Sequence, residues 1–228
     1  MWDILGYFEN ITDYSLPVYS SVILTCLQKD VIVGTLLGDA SLERNKPTHN
    51  TRIRFDQTYP NHESYLRSLY VIFASICGTE PRIHSRKPDK RTGKIYKTIA
   101  FKSLRQISLN YYYDLFYIYD SNGKRRKIVP KNITELLTPC ALAYWIMDDG
   151  GIDTYNATIL NTDSFTLEEV RQLQKVISKN FDLRTRIAEK RKGQWIIIIP
   201  VRQKVALYNI VGPYMHKTML FKVKGLNQ

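Results

Sequence analysis

The stretches Val31-Ile-Val-Gly-Thr-Leu-Leu-Gly-Asp39-Ala40 and Leu142-Ala-Tyr-Trp-Ile-Met-Asp-Asp149-Gly150-Gly151 decide how this chain is read. Each is an apolar run that ends on an acid followed by small residues. A helix carries partial negative charge at its C-terminal end and favours cations there, so an apolar helix closing on a carboxylate is electrostatically unfavourable. One such segment alone reads as a buried helix or strand ending at a turn. Two, at matching places in two halves, point to a paired acidic site. Packed side by side, the helices bring Asp39 and Asp149 out at the same end, where a bound divalent cation relieves their repulsion. Gly34 and Gly38 strengthen the packing, because a helical glycine costs about 1 kcal/mol relative to alanine and a Gly-x-x-x-Gly face lets two backbones approach.

The sequence after each acid repeats an order of elements. In the first half, Thr51-Arg-Ile-Arg-Phe-Asp-Gln57 alternates with period two. Pro60-Asn61 then opens a helix through Leu66, Leu69, Tyr70 and Phe73 that stops at Gly78. In the second half, residues 157–162 read as a strand, and Thr166 with Glu169 forms a capping box for a helix carrying Val170, Leu173 and Val176. Hairpins follow in both halves, from residues 82–87 with 95–102 and from 184–190 with 194–201. The tyrosine-rich residues 110–119 read as a core-facing helix bridging the halves rather than as an RNA-stacking strip. The expectation is an α+β protein of two αββαββα halves joined through the acid-ended helices. Its parts are an N-terminal extension (1–28), a first half (29–120), a linker with a basic loop (121–139) and a second half (140–228).

With 228 residues, 44% of them hydrophobic, the chain can bury a sizeable core. Thirty-three Lys and Arg against 21 Asp and Glu give a net charge of +12 and a pI near 9.5, which points to a polyanionic partner, nucleic acid first. No run of 18 apolar residues suggests a membrane span. Cys26, Cys77 and Cys140 are odd in number and far apart, which supports neither a disulfide framework nor a Cys-x-x-Cys zinc site and suits a reducing compartment. His49, His62, His84 and His216 lack metal-ligand spacing, so a metal here sits on oxygen donors, the preference of magnesium. No Gly-x-x-x-x-Gly-Lys-Ser/Thr loop indicates nucleotide hydrolysis. Residues 1–27 contain no arginine and do not resemble a transit peptide or secretory signal.

At its two acid-ended segments the chain resembles the LAGLIDADG homing endonucleases in their single-chain, two-motif form, nearest the omega-type mitochondrial intron enzymes. Against the nine-letter motif, the second copy keeps Leu142, Ala143, Ile146, Asp149 and Gly150, and the first keeps Gly34 and Asp39. Tyr144 replaces a motif glycine, Leu37 and Met147 replace its first aspartate, and Ala40 replaces its last glycine. The stretch Leu160-Asn-Thr-Asp-Ser-Phe-Thr-Leu-Glu-Glu-Val170 also resembles the segment downstream of the second motif in the omega-type enzymes, and the likeness spans residues 30–224.

The resemblance implies a monomeric, site-specific endonuclease that hydrolyses both strands of a long double-stranded DNA target with a short stagger. The implied cofactor is Mg2+, with Mn2+ or Ca2+ able to occupy the site in vitro. Asp39 and Asp149 are the expected catalytic and metal-binding acids. Gly38 and Asp148 are the further expected metal-site residues, as backbone carbonyl donors, the Asp148 side chain lying a quarter-turn from that of Asp149. Lys127 and Lys222 resemble lysines flanking the active centres of the omega-type enzymes and are expected to polarise water or stabilise the transition state. The two antiparallel sheets are expected to form a DNA-binding saddle, since a β-ribbon fits the major groove and alternate side chains meet base edges. The candidate readers are Arg52, Arg54, Gln57, Arg82, His84, Arg86 and Lys97 in the first sheet and Tyr155, Asn156, Arg184, Arg186, Glu189 and Gln194 in the second. The basic clusters at 87–94, 124–127 and 190–192 suit phosphate contacts or solvated turns. Expression inside a mitochondrion or chloroplast is implied by the resemblance alone. The competing reading on the same fold is an RNA maturase assisting its host intron, or a nuclease-dead DNA-binding protein. A basic binding module of unrelated fold would make both acid-ended helices accidental.

Overall fold

Two helices that have no polar face organise the molecule. In the computed structural model, which describes residues 22–224, α1 (Cys26–Leu37) and α5 (Pro139–Asp149) bury nearly every side chain beyond their first turn. A surface helix buries one stripe, whereas helices apolar all round belong in a core. Thr25 starts α1 through a capping box with Gln28, and Thr138 caps α5 with Pro139 in the first helical position, where its missing N–H costs nothing.

The helices lie parallel and in close contact. A methyl group at Gly34 would sit 2.2 Å from the Ala141 carbonyl oxygen and 2.8 Å from Tyr144 Cβ, and one at Gly38 would sit 2.5 Å from Asp148 Cβ. Positions 34 and 144, and 38 and 148, are equivalent when the two motifs are superposed, so each pair meets across the pseudo-twofold axis with a glycine on one side only. That asymmetry lets Tyr144 and Asp148 occupy an axis that two large residues could not share.

Each half is then built in one order. The first comprises α1, β1 (Ser41–Glu43), β2 (Arg52–Tyr59), α2 (Glu63–Phe73), β3 (Arg82–Ser85), β4 (Lys97–Lys102) and α3 (Asn110–Phe116). The second comprises α5, β7 (Gly150–Ile152), β8 (Thr158–Asn161), α6 (Leu167–Phe181), β9 (Arg186–Arg191), β10 (Gln194–Ile199) and α7 (Lys204–Val211). Both sheets are antiparallel, with orders β1-β2-β4-β3 and β7-β8-β10-β9. The expected αββαββα units are therefore present, and the expected capping box of Thr166 and Glu169 starts α6. Both halves contribute to one hydrophobic core around α1 and α5.

Between the halves lies a feature that sequence patterning did not indicate. Only residues 110–116 of the tyrosine-rich stretch are helical. Tyr117–Tyr119 forms β5, which pairs with β6 (Arg125–Lys127), and a short helix, α4 (Ile133–Leu136), leads into α5. The basic loop expected within residues 121–139 is thus partly a strand, and the ribbon it makes crosses the expected boundary at residue 120. Tyr112, Tyr113, Phe116 and Tyr117 are buried, whereas Tyr111 and Tyr119 are exposed. The expected extension also overlaps α1, which begins at Cys26, and residues 1–21 lie outside the described residues.

Candidate active site

The C-terminal ends of α1 and α5 deliver three carboxylates to one place. Asp39 comes just after the turn that closes α1 at Gly38, while Asp148 and Asp149 end α5. Burial and the negative charge of Asp39 push the Asp149 carboxyl up to about 7, and the positive charges of Lys127 and Lys222 oppose that shift. Asp148 is raised well above the usual carboxylate range, by burial first and by Asp39 second. Asp148 and Asp149 are short of solvating water and lie near the charge of Asp39, an environment that disfavours their ionisation without a cation.

Two lysines approach from opposite halves. Lys127 Nζ donates to the Gly38 and Ala40 carbonyls, each at 2.9 Å, and Lys222 Nζ donates to the Met147 carbonyl at 2.5 Å and the Ile146 carbonyl at 3.3 Å. Both cations therefore cover the negative ends of the two central helices and offset the charge problem posed by acids there. Burial pulls Lys127 down to about 8 against the pull of Asp149, Asp148 and Asp39, and it lowers Lys222 in the same direction. The β5–β6 ribbon brings Lys127 in. Arg125 stacks on Tyr117 with its guanidinium 4.6 Å from the ring centre and donates to the Leu42 carbonyl at 2.7 Å. Tyr117 Oη in turn accepts the Leu42 N–H at 3.1 Å. Lys222 lies in the 3-10 turn Lys217–Lys222, where its carbonyl accepts from Thr158 Oγ1 at 2.7 Å.

Gln57 lies away from its expected position at the DNA interface. Instead of facing DNA with Arg52 and Arg54, it is 6% exposed and donates from Nε2 to Asp39 Oδ2 at 3.0 Å and Asp148 Oδ1 at 3.3 Å. The correction is one of strand parity. Residue 57 shares its face with Ile53 and Phe55, which are buried, and Arg52 and Arg54 point the other way. A polar residue at a core position of a period-two strand was the available signal. Since the Gln57 amide faces two carboxylates, its Oε1 accepts, and His62 Nδ1 carries the proton in their 2.9 Å contact. Burial lowers the His62 pKa, with the Lys222 charge adding to the effect. Tyr65, also missed in the sequence, is fully buried and donates its hydroxyl to Asp148 Oδ1 at 2.8 Å. Asn161 Nδ2 donates to the Asp149 carbonyl at 2.8 Å.

The remaining expected DNA contacts divide by face. Arg52, Arg54, Arg82 and His84 line a groove of about 550 Å³ on the outer face of the first sheet, with Lys102 beside them. Cross-strand register aligns Asp56 with Ala100 and Ala100 with Arg82, and Arg86 reaches Asp56 at 3.7 Å. Lys97 pairs with Tyr59 and so has the parity of Gln57, not that of Arg54. In the second sheet, Arg186 is exposed beside Ile198 and Ile159, whereas Glu189 has the opposite parity and accepts the Gly193 N–H at 2.8 Å. Tyr155 is exposed at the β7–β8 turn, and Asn156 beside it accepts from Lys204 at 2.8 Å. Arg184 is exposed ahead of β9, and Gln194 is half-buried at the β9–β10 turn.

Comparison with known proteins agrees with this arrangement. The profile of the LAGLIDADG DNA endonuclease family matches residues 29–206. This chain belongs to that family. Among its relatives, the DNA endonuclease I-ChuI of Chlamydomonas applanata is 33% identical over 215 residues, covering 90% of this chain and 98% of that protein. The cytochrome b mRNA maturase bI2 of Saccharomyces cerevisiae is 33% identical over 199 residues, covering 85% of this chain, which spans only 46% of the maturase. The homing endonuclease I-WcaI, solved bound to its DNA recognition sequence, has a TM-score of 0.79 at 25% identity, with 90% of this chain and 88% of that chain covered. The LAGLIDADG chain is accordingly an enzyme of the homing endonuclease class.

Members of this family are nucleases that generally depend on a divalent metal. Among the described residues, no three His, Cys, Asp or Glu side chains group as a metal cage. Two carboxylates suffice for Mg2+, which keeps most of its waters and completes its shell with substrate phosphate oxygens. Burial and the neighbouring Asp39 both raise Asp149, and a cation held by the two acids would offset that penalty. The residues present fit such an ion. The Gly38 carbonyl, expected as a donor, already accepts from Lys127.

Proposed function

We propose that this chain is a monomeric, Mg2+-dependent, site-specific endonuclease that makes a staggered double-strand cut in a long DNA target. The carrying observation is the convergence of Asp39 and Asp149 at one end of α1 and α5, with Lys127 and Lys222 over the two helix ends. Two acids related by a pseudo-twofold suit the two strands of a duplex, which has the same approximate symmetry. Because one chain supplies both acids, a second copy is not needed to complete the site.

In this reading Asp39 and Asp149 bind Mg2+, which supplies charge stabilisation at the phosphate, an activated water and help for the leaving oxygen. Gln57 holds the Asp39 carboxylate in one orientation. The ammonium groups of Lys127 and Lys222 sit beside the acids and stabilise negative charge as it grows on the scissile phosphates. Arg52, Arg54, Arg82, His84 and Arg86 on one sheet, and Arg184, Arg186, Tyr155 and Gln194 on the other, meet bases and backbone in the grooves. A relative named a probable intron-encoded endonuclease, of Wickerhamomyces canadensis, supports expression from an intron. The similarity to the maturase bI2 supports a second activity, binding of the host intron RNA.

The test is incubation of purified protein with a plasmid library of candidate intron-insertion sites, in Mg2+ and in EDTA, beside Asp39→Asn and Asp149→Asn. Mg2+-dependent linearisation lost in both variants is expected. Binding of DNA without cleavage by the wild type would transfer the reading to a maturase or binding protein.

A further inference from the structure

The two acids are not held alike. Asp148 stands across the axis from Gly38, and its side chain turns toward the first half. Its Oδ2 accepts the Asp39 N–H at 3.2 Å, and its Oδ1 accepts the Tyr65 hydroxyl at 2.8 Å and Gln57 Nε2 at 3.3 Å. Gln57 Nε2 is thereby shared between Asp148 and Asp39, while His62 occupies its other end. The Asp39 backbone, its carboxylate and its glutamine partner all depend on one side chain donated by the second half.

Among the described residues, nothing equivalent reaches Asp149. Gly38, the counterpart of Asp148, has no side chain. Sheet register identifies the counterpart of Gln57: Ser41 pairs with Arg54 and Gly151 with Ile159, so aligning Ser41 with Gly151 aligns Gln57 with Thr162. Thr162 turns away and donates from Oγ1 to the Trp195 carbonyl at 2.5 Å. Among the described residues, no side chain hydrogen-bonds to the Asp149 carboxylate. Asp149 is contacted instead at its carbonyl, by Asn161.

We propose that Asp148 and Tyr65 form a one-sided brace that positions Asp39 and Gln57, so that cleavage of one DNA strand depends on this pair and cleavage of the other does not. Asp148 acts here as a positioning residue, through Asp39. The inference rests on the endonuclease reading above. Its chemistry is that of acceptor geometry: a carboxylate accepts from all three donors at once, whereas an amide of the same shape presents an NH2 to at least one of them. Losing one of these hydrogen bonds lets the acid it holds sample unproductive orientations.

The experiment monitors supercoiled plasmid carrying the target with wild type, Asp148→Asn, Tyr65→Phe and the double variant. Thr162→Val is the control from the other half. End-labelled strands are resolved separately, and thermal unfolding is measured for each variant. The expected result is accumulation of nicked circle with Asp148→Asn and with Tyr65→Phe. The same strand stays uncut in both, slowed by about tenfold or more, while the other strand is cut at the wild-type rate. The double variant should be no worse than the stronger single one, because the two residues act as a unit. Tyr65→Phe removes only the hydroxyl, so a strand bias shared with Asp148→Asn cannot come from a packing defect. Equal slowing of both strands by stable variants, or nicks on opposite strands in the two variants, would overturn the brace. Absence of cleavage by the wild type would instead overturn the endonuclease reading on which it rests.

Discussion

The side-chain amide of Gln57 donates to the carboxylate of Asp39 at 3.0 Å from the buried face of β2, opposite to the face that carries Arg52 and Arg54. A residue read as a base contact is therefore a hydrogen-bond partner of the acid proposed to be catalytic. The two roles give different phenotypes. Gln57→Leu should lower the cleavage rate by about tenfold or more with the target preference unchanged. Arg82→Ala, on the exposed face, should relax base preference at particular target positions. Cleavage profiling on a randomised target library separates the two, and altered specificity in Gln57→Leu would return that residue to the DNA interface.

Lys127 is a cation held by two carbonyls and delivered by a ribbon that Arg125 pins to Tyr117 and Leu42. Lys127→Met should reduce single-turnover cleavage by about 100-fold, the scale for removing a charge-stabilising group from an active centre, with DNA affinity changed little. Arg125→Ala should reproduce part of that loss without removing the lysine. Quench-flow rates together with an equilibrium binding titration provide the check, and a fall in affinity equal to the fall in rate would make Lys127 a DNA anchor.

The position of Asp149 gives a signed pH dependence. Its carboxyl titrates near 7 in the metal-free folded chain, held up by burial and by Asp39, against a free value of 3.8. A folded-state pKa above the unfolded one favours the protonated fold, so this contribution to stability is present below about pH 4 and is lost as pH rises through about 7. In EDTA, Asp149→Asn should match wild type at pH 4 and exceed it at pH 7.5 by roughly 4 kcal/mol. Mg2+ should close the gap by stabilising only the wild type. Denaturant melts at both pH values, with and without Mg2+, measure this, and a gap that is constant with pH would refute it.

Gly34 meets the Ala141 backbone so closely that a methyl group there would lie 2.2 Å from a carbonyl oxygen. Despite better helix propensity, Gly34→Ala should lower stability by about 1–3 kcal/mol, the usual cost of overpacking a core. Because the same contact sets the separation of α1 from α5, cleavage of both strands should fall together. Calorimetry and the strand-resolved assay distinguish this from the one-sided loss expected at Asp148, and a stabilised Gly34→Ala would show that the helices can separate without cost.

The sequence by itself determined the pair of apolar, acid-ended segments, the repeated order of elements and the basic charge. These are local or periodic properties: a helix with no polar face must be buried, an alternating run must present two faces, and a Thr-x-x-Glu start caps a helix wherever it lies. That was enough to read both αββαββα halves and to single out Asp39 and Asp149. The tertiary structure alone decided what surrounds those acids. Gln57 and Tyr65 come from the consecutive elements β2 and α2, whereas Asp148 comes from α5 in the other half, and only the close approach of α1 and α5 at Gly34 and Gly38 brings them into one hydrogen-bond network. The parity of Gln57 was present in the sequence, yet its partners were not, because a strand pattern says which face is buried and never what lies across it. Lys127 is the intermediate case, since its match to Lys222 was visible, while the β5–β6 ribbon that carries it depends on Arg125 stacking on a tyrosine from another element.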